Sequence, residues 1–156
     1  MAERAITVTK NFNLNKITLD LHKELNLAGG MVIKDIVKKN QSGLDINGKA
    51  IKPLSPNTIA AKSGSNPSRA LYDTGLMIGR GSVKGVGGRG PYLSKKADKT
   101  NQETIISVAK DRESIGVYHN EGMGLPKREW FGISKDAIRD IMRMVELRIE
   151  DRIKRA

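Results

Sequence analysis

The sequence contains no cysteine, which excludes disulfides and thiolate metal ligands. Histidine is almost as scarce. His22 and His119 are the only two, and they lie far apart in the chain. We therefore expect no catalytic or metal-binding cluster built on histidine. Aromatic residues make up 4% of the chain, so the core must be mainly aliphatic and base-stacking platforms are not expected.

Long apolar runs are also missing, since none approaches the roughly 20 residues that a membrane-spanning helix requires. The first residues, Met-Ala-Glu-Arg, lack the apolar segment of a signal peptide. We therefore expect a protein that is made and kept in a cytosol and has no membrane partner. The 156 residues suffice for one domain with an ordinary core, so we expect a single domain over 1–156.

Positive charge is the property that the chain has in excess. There are 28 Lys and Arg residues against 17 Asp and Glu, a net charge of +11, which favours an anionic partner. Residues 80–99 hold six basic residues and one acid, a net of +5. Because residues 80–102 are also rich in glycine, they predict a long, flexible, basic loop or hairpin tip. Its candidate DNA-facing residues are Arg80, Lys84, Arg89, Lys95, Lys96 and Lys99.

Two segments show the spacing of amphipathic helices. The first runs from Ile17 to Ile36, and Gly29-Gly30 within it costs about 1 kcal/mol per glycine, so we expect one bent helix or two in tandem. The second is predicted over 135–155, with Ser134 as its N-cap and Asp136 in its first turn. Its apolar stripe consists of Ile138, Ile141, Val145, Ile149 and Ile153.

Turn and strand signals fill the space between these helices. Residues 40–56 predict a loop with turns at Ser42-Gly43 and Asn47-Gly48, and Ser55 is expected to cap the short helix that follows. Residues 104–108 and 114–118 are rich in β-branched side chains, and we expect them to pair as a hairpin. Residues 1–14 predict a short strand or a loose arm. The resulting fold class is α+β, with a long N-terminal helix and a C-terminal amphipathic helix packed on a small antiparallel β-sheet.

Three short motifs match the signatures of catalytic or binding sites. Asp73-Thr74-Gly75 matches the aspartic protease triplet, but no second copy exists to complete a carboxylate pair, so a structural turn is expected. The run Gly85–Gly90 satisfies the dinucleotide-binding pattern, but Pro91 follows it and no helix opens there. His119 and Glu121 would share one side of a strand end, yet no nucleophile is placed for activation. We expect no enzyme activity and no cofactor.

A resemblance to a known family rests on three stretches in a fixed order. They are Asp-Thr-Gly-Leu at 73–76, Tyr-His-Asn-Glu-Gly at 118–122, and Pro-x-Arg-x-x-Phe-Gly-Ile-Ser at 126–134. Their order, and their placement before a terminal amphipathic helix, resemble the virion morphogenesis (tail completion) family of long-tailed bacteriophages. The similarity extends from about residue 15 to the C-terminus.

The resemblance implies a structural protein of a phage or prophage virion at the head–tail junction. Members are thought to form rings, commonly six-fold, that contact connector, neck or tail-tube proteins without a cofactor. By this analogy Arg128, Trp130 and Phe131 belong to the protomer or ring contact, and the basic loop lines a lumen or faces the neighbouring ring. The alternative is a small monomeric nucleic-acid-binding protein, which the net charge favours.

Overall fold

A computed structural model describes residues 20–63, 67–71, 92–108 and 110–155 of the chain. In these ranges the chain forms four helices and two short strands. In chain order they are α1 (His22–Gln41), α2 (Pro56–Ala61), β1 (Tyr92–Lys95), β2 (Ile105–Val108), α3 (Lys110–Glu121) and α4 (Lys135–Arg155). The predicted arm at 1–14, the triplet at 73–75, the glycine-rich run at 85–90, and Arg80, Lys84 and Arg89 all lie outside the described residues.

The two long helices, α1 and α4, lie side by side and run in opposite directions. At one end, the Ser134 hydroxyl at the start of α4 donates to Asp35 Oδ2 near the end of α1, over 2.6 Å. At the other end, Arg152 Nη2 near the end of α4 donates to Glu24 Oε1 in the first turn of α1, also over 2.6 Å. These polar contacts fix both the direction and the register of the helix pair.

The core forms where α1, the loop after it and the segment before α4 meet. α1 contributes one apolar face to it, and Trp130 and Ile36 are both fully buried. Half-buried residues of β2 and α4 pack around this cluster. The buried members are Val32, Ile33, Ile36, Val37, Ile46, Leu71 and Trp130.

The predicted hairpin between 104–108 and 114–118 is wrong. Residues 105–108 do form β2, but they pair with β1 in antiparallel register, so that Tyr92 lies opposite Val108 and Lys95 opposite Ile105. Residues 114–118 instead belong to α3. Ile115 and Val117 favour a strand locally, but tertiary contacts override a weak preference of this kind.

The predicted sheet that would carry both long helices is likewise not seen in the described ranges. The strand pairing there is limited to four residues on each side, and α1 and α4 pack on each other instead. The prediction of a mixed fold with long helices near both ends of the chain is confirmed. β1 also lies inside the predicted loop of 80–102, so that residues 92–95 are strand rather than loop.

α1 continues without interruption through Gly29-Gly30, where a bend or a break was predicted. Gly29 is buried at the point where α1 crosses the chain entering β2. A Cβ atom at this position would lie 2.8 Å from Thr104 Cγ2, closer than such atoms approach. The absence of a side chain at Gly29 therefore sets the distance between α1 and β2.

The predicted bounds and N-cap of α4 are confirmed. α4 spans Lys135–Arg155, and the Ser134 hydroxyl accepts from the Ala137 amide over 3.0 Å. The predicted apolar stripe, however, does not coincide with the face that α4 turns to α1. That face is lined by Ala137, Ile141, Arg148 and Arg152. With 100° of rotation per residue, the centre of this face lies about 70° around the helix axis from the centre of the predicted stripe. Ile138 and Ile153 of the stripe are therefore exposed.

The predicted turns and the cap of the short helix are confirmed. Gly43 and Gly48 have positive φ angles of 72° and 80°, which explains why glycine is favoured at both turns. The Ser55 hydroxyl accepts from the Thr58 amide over 3.2 Å, and Pro56 occupies the first turn of α2.

Substitution of the two adjacent glycines should have opposite effects on stability. Gly29→Ala should lower the free energy of unfolding, because its Cβ collides with the stiff side chain of Thr104, and overpacking typically costs about 1–3 kcal/mol. Gly30→Ala meets nothing within 4 Å and should raise it by up to about 1 kcal/mol through helix propensity. Urea denaturation measures both. Thr104→Ser removes the Cγ2 atom and should restore the stability lost in Gly29→Ala. Equal changes in the free energy of unfolding for the two alanine variants would contradict the close approach of Gly29 to Thr104.

Candidate functional site

The segment that carries the resemblance, residues 125–134, connects α3 to α4 and passes through the core. We call it the junction segment. Three of its side chains are buried: Trp130 is 0% exposed, Ser134 3% and Arg128 4%. Arg128, Trp130 and Ser134 are therefore internal to the protomer, whereas residues 125–127 and Ile133 are exposed.

Three hydrogen bonds hold the junction segment to α3. The Arg128 amide donates to the His119 carbonyl over 2.7 Å, and the Phe131 amide donates to Asn120 Oδ1 over 3.2 Å. The indole Nε1 of Trp130 donates to the carbonyl of Gly116 over 3.1 Å. The motif at 118–122 and the motif at 126–134 are thus bonded to each other directly.

Further bonds hold the junction segment to the end of α1 and the loop after it. The Ile46 amide donates to the Glu129 carbonyl over 2.7 Å. Asn40 is 1% exposed, and its Nδ2 donates to the carbonyls of Ile36 and Trp130 over 2.8 and 3.1 Å. The segment therefore lies between α1 and α3 and fixes their separation.

The Arg128 guanidinium is held by main-chain carbonyl groups. Its nitrogens donate to the carbonyls of Lys52, Pro53 and Pro126 over 3.1, 3.2 and 3.4 Å. No carboxylate of the described residues forms an ion pair with it. Burial lowers the pKa of Arg128, although an arginine keeps its proton in proteins. Arg128 thus connects the stretch before α2 to the junction segment.

His119 lies beside Arg128, with Nδ1 3.5 Å from the nearest guanidinium nitrogen. Burial lowers the pKa of His119, and the positive charges of Arg128 and Lys62 lower it further. Because His119 and Glu121 both lie in α3, two positions apart, their side chains do not face each other as the predicted strand end required. His119 acts here as a neutral residue packed against the buried guanidinium.

Phe131 differs from its two predicted companions, because it is half-buried and reaches the surface. Its ring is tilted by 56° against that of Trp130, with 5.5 Å between centroids. Both rings line a groove of about 200 Å³ between β2 and α3, whose apolar wall also includes Ile106, Val108 and Val117. Of the three predicted contact residues, Arg128 and Trp130 stabilise the interior and Phe131 borders an open groove.

The described members of the predicted DNA-facing set are exposed. Lys95, Lys96 and Lys99 surround the buried Ala97, whose amide and carbonyl are both bonded to the Asn26 side chain over 2.9 Å. The three lysines are therefore held on the surface beside the N-terminal half of α1.

Sequence reasoning did not identify Glu24, Asn26 or Asn40 as organising residues. Glu24 is 1% exposed and is paired with Arg152, while its Oε2 has no hydrogen-bond partner among the residues that the structure describes. Each of these polar side chains meets a group between 71 and 128 positions away in sequence. No local pattern marks a residue whose partner is that distant.

None of the described helices is long and apolar enough to cross a membrane. The same residues contain no cluster of three or more His, Asp or Glu side chains that is able to hold a metal ion. No family model, curated protein or solved structure matches the chain.

The lowered pKa of His119 predicts a pH dependence of stability. Because the unfolded state binds a proton near pH 6.5 and the folded state only at lower pH, acidification below about pH 6.5 should reduce the free energy of unfolding. His119→Gln should flatten this dependence between about pH 7.5 and pH 5.5. Denaturant unfolding at several pH values measures it, with His22→Gln as the control. An unchanged slope in the His119 variant would contradict the assignment of His119 as a neutral, half-buried histidine.

Proposed function

We propose that this chain is a structural protein of a long-tailed phage or prophage virion that acts at the head–tail junction. It completes the tail or joins it to the capsid by forming a ring with copies of itself, as a hexamer. The order of its motifs supports this proposal. The hydrogen bonds between the motifs at 118–122 and 126–134 give that order a structural reason.

The observation that carries the proposal is the apolar surface that the protomer leaves exposed. Isolated exposed apolar residues are ordinary, but here apolar side chains of β2, α3 and the junction segment border one open groove. A head-to-tail ring requires two different surfaces on each protomer, and this groove provides one of them. Its apolar lining consists of Ile106, Val108, Val117, Trp130 and Phe131.

Within this surface, the groove between β2 and α3 is the site that we assign to the ring contact. It is concave, its wall is mainly apolar, and Phe131 reaches it from the junction segment. Arg128 and Trp130 contribute to assembly indirectly, because they hold Phe131 and α3 in place. The remaining ring partners in this proposal are connector, neck and tail-tube proteins.

Two substitutions on α3 test the groove. Val117 and Ile115 are 46% and 44% exposed, but Val117 lines the groove and Ile115 does not. Val117→Glu should abolish ring formation, because a charge in the contact loses its hydration, whereas Ile115→Glu should retain it. Light scattering and negative-stain images of the protein, alone and with connector and tail-tube proteins, provide the readout. A strict monomer that ignores these proteins would overturn the proposed function.

The second candidate function, DNA binding, is favoured by the three exposed lysines at 95, 96 and 99. In a ring, six copies of the basic segment would concentrate positive charge around a channel that DNA passes through. Lysine provides a point charge and no base-reading geometry, so binding should be insensitive to sequence and should weaken steeply with salt.

Replacement of Lys95, Lys96 and Lys99 by glutamine should weaken DNA binding at low salt and flatten its salt dependence. A matched control replaces the exposed Lys23, Lys34 and Lys38 of α1. Fluorescence anisotropy with duplexes of two unrelated sequences measures both variants. If the first variant binds as the parent does, these lysines have another role. If a monomer binds as tightly as a ring, the protein is the monomeric nucleic-acid-binding protein of the alternative.

A further inference from the structure

The outward-facing side of α4 carries a continuous apolar line that no other described part of the protomer covers. We call it the outer stripe, and it consists of Ile138, Met142, Val145, Ile149 and Ile153. Met142, Ile138 and Ile153 are 57%, 46% and 39% exposed, and the other two are half-buried. At 100° per residue the five positions fall within an arc of about 80°.

The first four positions of the outer stripe follow the spacing of a helix-pairing seam. From Ile138 to Met142, Val145 and Ile149 the steps are four, three and four residues, which is the alternation of a coiled-coil heptad. This spacing keeps the same edge of a helix against a neighbouring helix over three turns. α1 does not supply that neighbour, because it packs about a quarter-turn away, on Ile141, Arg148 and Arg152.

The charges beside the outer stripe identify the orientation of the missing helix. On its solvent flank the N-terminal half of α4 is basic, with Lys135 and Arg139, and the C-terminal half is acidic, with Glu146 and Glu150. A helix that meets this surface favourably is acidic where α4 is basic and basic where α4 is acidic. A second α4 in the opposite direction has this charge order.

We propose that two copies of the chain associate through an antiparallel pairing of their α4 helices. Ile138 of one copy lies opposite Ile149 of the other, and Met142 lies opposite Val145. In this register Arg139 of each copy lies beside Glu146 of the other, so the ion pair occurs twice across a two-fold axis. A parallel pair would bring like charges to the same end of the seam.

The charged residues on the flank are available for these contacts. The Arg139 side chain is 71% exposed and pairs with Asp136 and Asp140 within α4, at 3.4 and 3.3 Å. Exposed pairs of this kind contribute little and can exchange partners. Glu146 is exposed and forms no ion pair within the part of the chain that the structure describes.

The dimer does not depend on the proposed function. An isologous contact closes at two copies, so it cannot build a ring, and it uses a surface other than the groove between β2 and α3. Because one helix pair buries less area than a standard interface, the dimer should be reversible and its population should rise with concentration.

Charge reversal tests the pairing in solution. Arg139→Glu and Glu146→Arg should each shift the sedimentation profile toward monomer, because each sets like charges opposite one another. The double variant should restore the dimer. Met142→Asp should abolish it, whereas Leu147→Asp, at a position that is 56% exposed on another side of α4, should not. A monomer at every concentration, or no recovery in the double variant, would overturn the proposal.

Cross-linking tests the direction, and the absence of native cysteine makes the readout clean. Under mild oxidation, Ile138→Cys and Ile149→Cys should each remain uncross-linked alone and should form a disulfide-linked dimer when mixed. A disulfide between two copies of the same variant would indicate a parallel pair and would overturn the antiparallel assignment. Circular dichroism melts verify that each variant is folded. Val117→Glu should leave this dimer intact, so loss of the ring and loss of the dimer are distinguishable.

Discussion

The rest of the structure depends on the burial of one indole in the segment between α3 and α4. Trp130 is fully enclosed, and its Nε1 group is satisfied by the carbonyl of Gly116. The indole fills the space among α1, β2 and α3. The main-chain carbonyl of Trp130 accepts a hydrogen bond from the Asn40 side chain on α1. Truncation of a large buried aromatic typically costs about 3–5 kcal/mol, a large part of the stability of a small domain.

Around this residue the structure uses buried polar groups more than a large apolar core. Asn40, Glu24 and Arg128 are all nearly inaccessible to solvent, and each joins segments that are distant in the chain. Such groups are costly to bury unless they are paired, so they disfavour alternative packings in which their partners are absent. An aliphatic core alone would specify the register of α1 against α4 less well.

The features that local chemistry determines were predictable from the sequence. The N-cap of α4 follows from Ser134, the cap of α2 from Ser55, and the two turns after α1 from Gly43 and Gly48, which tolerate positive φ angles. The conformation of residues 114–118 was not predictable in this way. The local run Ser-Ile-Gly-Val-Tyr favours a strand. The contacts of α3 with Trp130 and β2 stabilise a helix there instead.

Tertiary contacts that the local sequence pattern does not show also account for the part of the candidate site that was predicted wrongly. Periodicity locates the apolar side of α4 but does not say what covers it. α4 turns Arg148 and Arg152 toward α1, because the buried Glu24 carboxylate lies there, and no pattern in α4 indicates that carboxylate. The sequence groups Arg128, Trp130 and Phe131 but does not show their burial. In the structure Arg128 and Trp130 are buried, whereas Phe131 is half-buried beside the open groove.

The carbonyl cage of Arg128 has a consequence for sequence comparison among homologues. Its acceptors are main-chain oxygens of residues 52, 53 and 126, and every amino acid offers such an oxygen. An arginine bound in this way imposes no choice of side chain on its partners. Covariation analysis, which detects paired changes of side chains, should therefore find no signal linking position 128 to positions 52 and 53, although they are in direct contact.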